Sequence, residues 1–182
     1  MTATPVSARL AALRQHMQQH GIAACLIPSS DPHLSEYLPG YWQGRRWLSG
    51  FHGSVGTLIV TQGFAGLWAD SRYWVQAETE LAGSDIQLMK IQTVASPLHL
   101  EWLAANLAAG DVLAVDGDVL GLAAARALQA ALDAAVRRLP GVADVQIAFH
   151  TKVIAHSVQR GIQLLPGVKN VIAVASGKGG VG

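Results

Sequence analysis

The densest run of chemistry-bearing side chains spans residues 29–46, SSDPHLSEYLPGYWQGRR, where Asp31, His33 and Glu36 could hold a cation. His33 and Glu36 stand three apart, a spacing that places two ligands on one helix face. Nothing nearby adds a third histidine or a tight carboxylate pair, so a structural reading displaces the metal one. In it Asp31 caps a helix by accepting backbone N–H bonds, and Pro32 fills the first helical position. Asp116 and Asp118, ending VLAVDGD, fit a cation site or a turn closed by Gly117 about equally. His52 in SGFHGS has no obvious carboxylate or nucleophile beside it and reads as a loop or packing histidine. The last chemical signal is GKGGVG, comprising Gly177, Lys178, Gly179, Gly180, Val181 and Gly182, after the β-branched run NVIAVA. In the phosphate-binding pattern GxxxxGK[ST], glycines let backbone N–H groups turn onto phosphates, the lysine reaches the β and γ oxygens, and the hydroxyl ligates magnesium. Read this way the motif is incomplete, because the sequence stops before that lysine, that hydroxyl and the helix that would face the anion.

These side chains must be positioned by 182 residues that are 51% hydrophobic and 14% charged, enough for one domain or one domain with a fragment of another. No apolar run approaches the roughly 18 residues of a membrane span, which excludes a membrane partner. Cys25 is the single cysteine, so neither a disulfide nor a thiolate zinc cluster can be built, and a reducing cytoplasm is expected. Ser7 is placed to cap a helix with an apolar side of Leu10, Leu13 and Met17, stopped by Gly21, and 22–27 reads as a buried strand. The strands at 56–61 and 64–69 flank Gln62-Gly63, spaced as a two-residue hairpin loop with glycine where φ could be positive. Asp70 is placed to cap a helix reaching 81, strands follow at 86–91 and 112–116, and Ser96 with Pro97 opens a helix to 107. Hairpin and crossover connections together predict the α/β class, a mixed β-sheet flanked by helices.

Charge divides the chain. Residues 1–135 hold seven Lys/Arg against eleven Asp/Glu, whereas 136–182 hold six Lys/Arg against Asp144 alone. All five tryptophans and all three tyrosines lie before the break. Two domains are therefore expected, 1–135 and 136–182, with the join near 133–137 inside one helix whose spacing runs from Leu120 to Leu139. Strand candidates at 142–149, 152–158 and 170–175 make the second part a short C-terminal α/β fragment. Its cations are scattered and lack a stacking aromatic, which argues against nucleic acid as a partner.

The segment DPHLSEYLPGYWQGRRWLSGFHGSVGTLIV, followed by GLWADSRYWVQAETEL, DIQLMK, EWLAANL and VLAVDGDVL, resembles the N-terminal, creatinase-N-type domain of Xaa-Pro aminopeptidases (aminopeptidase P) over about 7–133. The resemblance implies a ribonuclease-H-like mixed sheet that is non-catalytic and serves assembly and active-site access. It implies a dinuclear manganese site in a downstream catalytic domain, held by two Asp, one His and two Glu. With only Asp144 acidic after residue 135, this chain is expected to lack that cage and to need no cofactor of its own. The same resemblance singles out Arg72, Tyr73 and Trp74 in DSRYW as candidate contacts to the missing domain, against a plain reading as helix packing.

The tail, with LPGVADVQIAF and KVIAHSVQRGIQLLPGVKNVIAVASGKGGVG, resembles the start of the ATPase domain of Mrp/ApbC proteins over about 136–182. Those are deviant P-loop ATPases linked to iron-sulfur delivery, for which the resemblance implies ATP with magnesium. Lys178 matches their signature lysine. The expected function is that of a non-catalytic aminopeptidase module, inactive alone, with a homo-oligomer or a separate catalytic domain as partner. The alternatives are an ATP-binding iron-sulfur carrier fragment and a recombined chimera without activity.

Overall fold

The computed structural model describes residues 5–137 except Ala109. The expectations placed on 138–182, including the second domain and the glycine-rich end, lie outside the described residues.

Five strands form one sheet in the order β4-β3-β2-β1-β5: β1 Ala24–Pro28, β2 Thr57–Thr61, β3 Ala65–Asp70, β4 Gln87–Ile91 and β5 Leu113–Val115. β2 pairs antiparallel with both β1 and β3, while β4 joins β3 and β5 joins β1 in parallel. The mixed sheet expected from the sequence is therefore present, and β2 alone runs against the other four. Alternation splits the strands between two layers. Leu58, Val60, Leu67 and Ala69 face a layer with Leu10 and Met17 of α1 (Pro5–Gln19), Leu48 of α2 (Gly44–Ser49) and Ala77 of α3 (Trp74–Glu80). Ile59 and Trp68 face the other, with Leu103 of α4 (Leu98–Asn106) and Leu128 of α5 (Leu122–Val136). All six residues of β3 are buried. Each large side chain so enclosed contributes about 1.5–3 kcal/mol. Trp102 stacks on Phe64 at 4.4 Å between centroids and meets Trp68 edge-on at 5.6 Å, so aromatic area seals the second layer.

Several local expectations shift. Helix α1 starts at Pro5, ahead of the cap expected at Ser7, because proline's fixed φ suits a first turn. Gly21 does stop it, at φ 65°, while Ile22 N–H still donates to Met17 and Ala23 N–H already donates to Val112, which moves the start of β1 to Ala24. The hairpin loop is Gln62-Gly63 as spaced, yet Gly63 is not among the glycines with positive φ. Thr61 closes the loop instead, its hydroxyl accepting from Phe64 N–H at 3.1 Å. No helix follows Asp31. Its carboxylate accepts from the backbone N–H groups of His33 and Ser35 in a turn, and the helices come later, as a 3-10 turn at Gly40–Trp42 and then α2. Asp70 caps as expected, accepting from Arg72 N–H at the head of the 3-10 turn Ser71–Tyr73 that leads into α3. Ser96 likewise accepts from Leu98 N–H at the head of α4, and α5 carries helix through Val136.

Candidate functional site

Because β1, β3, β4 and β5 point the same way, their C-terminal ends and the start of β2 share one end of the sheet. Ligand crevices in α/β sheets open at such ends. A cleft of about 210 Å³ lies there, bounded by the end of β1 at Pro28 and Ser29, the segment from Glu36 to Arg46, and the turn His52-Gly53-Ser54.

Arg45 is the cleft's anchor. It is 4% exposed and donates through Nε to Ser29 Oγ at 2.7 Å, through Nη1 to Phe51 O at 3.0 Å and through Nη2 to Gly53 O. Ser29 Oγ passes the link on to Gly56 O at 2.8 Å, so one guanidinium ties the β1 loop to the turn before β2. Burial lowers Arg45 to about 10, Arg46 adds to that and Glu80 opposes it, which still leaves a cation at neutral pH. Gly53 is required by crowding: a Cβ there would run into the Phe51 ring and come within 2.9 Å of Tyr73. Arg46 is exposed, its Nη1 held by Gln43 Oε1 at 3.0 Å.

His52 lies in a loop, as expected, but it does have a carboxylate beside it. Its backbone N–H donates to Glu80 Oε2 at 2.7 Å and its Nδ1 lies 3.3 Å from Glu80 Oε1. Burial pushes Glu80 up, but the bonds from His52 and Gln76 outweigh this and hold it below the usual carboxylate range. The partner sits 28 positions away on α3, beyond any local pattern.

Arg72, Tyr73 and Trp74 serve three different contacts. Arg72 is exposed and forks Asp70 with two bonds of 2.8 Å, while its guanidinium lies 5.3 Å from the Tyr73 ring centroid. The hydrogen bonds from Arg72 hold the Asp70 carboxyl below its ordinary value. Tyr73 is half-buried edge-on to Phe51, and its hydroxyl meets Ser54 Oγ at 2.7 Å, which brings it to the cleft. Trp74 is half-buried: its Nε1 donates to Ala69 O at 2.9 Å and Lys90 lies 5.3 Å from its ring centroid.

The suggested metal ligands do not converge. His33 and Glu36 are both exposed, off any helix, and Asp31 Oδ1 is used by two backbone N–H groups. Asp31 is buried, its Oδ2 has no hydrogen-bond partner, and the Ser35 N–H chiefly holds its carboxyl below the usual range. Asp116 accepts from Asp118 N–H at 3.0 Å, the turn reading of that pair. Among the described residues no three His, Cys, Asp or Glu side chains gather to hold a metal, so they do not fit a dinuclear manganese cage. No described helix is long and apolar enough to cross a membrane.

A family profile for the creatinase/prolidase N-terminal domain matches residues 9–146. Xaa-Pro aminopeptidase 2 of Rattus norvegicus is 40% identical over 116 residues, 64% of this chain and 17% of that protein. The human protein of the same name is 33% identical over 142 residues, 78% of this chain and 21% of its own length. Among solved structures, the X-prolyl aminopeptidase of Caenorhabditis elegans, described as a cytosolic enzyme with a di-nuclear active site, superposes with a TM-score of 0.65 at 33% identity. That match covers 73% of this chain and 23% of the worm chain. An isolated creatinase/prolidase-like N-terminal domain from Corynebacterium diphtheriae shares the fold, with a TM-score of 0.55 at 22% identity over 93% of its length. The chain thus spans about a fifth of the length of these three aminopeptidases. The comparisons give no support to the Mrp/ApbC-like reading of the tail.

Proposed function

The chain belongs to the creatinase/prolidase N-terminal domain family, and from that premise we propose that it acts as the non-catalytic N-terminal domain of an Xaa-Pro aminopeptidase. The observation that carries this is that residues 9–146 match the creatinase/prolidase N-terminal domain profile and that the same fold superposes on the worm X-prolyl aminopeptidase with a TM-score of 0.65. Peptide-bond hydrolysis by paired metals requires carboxylates converging on a bridging water. We assign that chemistry, and the manganese pair, to a separate catalytic part. The domain's own contribution is a rigid end wall. The turn His52-Gly53-Ser54 is fixed from one side by Arg45 and from the other by Glu80, and Ser54 is fixed by Tyr73. Arg72, Tyr73 and Trp74 face the catalytic part across this wall, and assembly takes place in the cytoplasm.

The test is turnover. The chain alone with manganese and an Xaa-Pro tripeptide should release no amino acid, while adding a catalytic domain prepared from a relative should give a stable complex in size-exclusion chromatography. Saturable, manganese-dependent release by the chain alone would overturn the reading.

A further inference from the structure

We infer that the cleft beside Arg45 receives the carboxylate end of a short peptide, which makes it a binding subsite and not only a wall. Three features converge. Arg45 puts a buried cation on the cleft lining with no carboxylate salt-bridged to it among the described residues: Glu80, which His52 engages, acts on it without touching it. Arg46, oriented by Gln43, keeps guanidinium donors for a second contact, and guanidinium groups match carboxylate oxygens in pairs. Tyr37, 82% exposed, and the half-buried Trp42 supply apolar walls, and Ser54, whose hydroxyl meets Tyr73, also lines the space. At about 210 Å³ the space suits one end of a peptide rather than its whole length. Glu36 is the one carboxylate on the lining, and at the rim it opposes an anion. A buried cation and aromatic side chains on one lining favour a carboxylate carried on an apolar residue over a bare inorganic anion. The inference rests on the aminopeptidase reading for the choice of a peptide as the carrier.

The experiment uses the full chain labelled with nitrogen-15. It is titrated with the tripeptide Ala-Pro-Phe as free acid, with its C-terminal carboxamide and with inorganic phosphate, up to about 20 mM, well past a millimolar dissociation constant. The free acid should shift the Trp42 indole and Ser54 amide signals together. The carboxamide should bind at least about fivefold more weakly. Arg46→Ala should lose affinity by a similar factor, and Glu36→Gln should gain about twofold. Both substitutions are at exposed positions, and unchanged amide spectra elsewhere verify the fold. Three results would overturn the subsite: equal affinity for acid and carboxamide, phosphate binding as tightly as the free acid, or no shift at Trp42 and Ser54. No turnover enters this titration, so its failure leaves the manganese assay standing, and failure of that assay leaves the titration standing.

Discussion

The loops that leave β1 and β3 are built from the same two residue types in opposite ways. After β3, Asp70 and Arg72 meet in a fork, and both carboxylate oxygens are used. After β1, Asp31 and Arg45 are kept apart. Asp31 keeps one oxygen without a partner, and Arg45 spends its donors on a hydroxyl and two carbonyls. The first loop satisfies itself within three residues. The second sends Arg45 across to the turn before β2, and it leaves Leu34, Tyr37 and Tyr41 largely exposed, with Leu34 at φ 54°. Local closure makes a tight corner, whereas long-range closure makes a broad, outward-facing surface with a cleft behind it.

Substitutions can break this contrast. Arg45→Ala should do most harm, about 3 kcal/mol, because it strands two buried carbonyls and Ser29 at once. Urea unfolding checks it, and a loss below about 1 kcal/mol would mean that the loop is held by something else. Asp70→Ala should cost about 1–2 kcal/mol by removing the cap of the β3 corner. The same carboxylate sets an acid response. Its folded value lies below 3.8, so its contribution is complete above that value and disappears as pH falls further. Asp70→Asn should therefore flatten the decline of the melting temperature below about pH 4 and leave its neutral-pH dependence unchanged. Leu34→Gly should have the smallest effect, a gain under about 1 kcal/mol, since glycine adopts the left-handed conformation without the steric cost that leucine bears. A loss of stability there would show that the exposed leucine side chain matters more than its backbone.

Sequence reading recovers what is periodic and local. The strands, the Gln62-Gly63 spacing, the cap at Asp70 and the Ser96–Pro97 opening of α4 depend on neighbours a few positions apart. Helix α2 escapes it because GRRWLS is only six residues long, begins on glycine and lacks a capping side chain. Asp31 misleads for a related reason: a carboxylate that accepts the N–H groups two and four positions ahead serves a turn as well as a helix start. The cleft is the least legible part. Arg45 reaches Ser29 across 16 positions, Ser54 reaches Tyr73 across 19 and His52 reaches Glu80 across 28. The only linear trace is the run GRRWLSGFHGS, where an arginine beside closely spaced glycines marks backbone approaching a side chain.

The lone reversed strand also orders the folding reaction. The β2–β3 hairpin pairs Val60 with Ala65, whereas Gly66 pairs with Gln87, Pro28 with Thr57 and Ala24 with Leu113, so the hairpin closes the shortest loop and β5 the longest. The hairpin should nucleate, with β5 condensing last. Truncating Val60 or Leu67 should then slow refolding, whereas truncating Leu113 should mainly hasten unfolding, and the reverse pattern would place the nucleus at the rim.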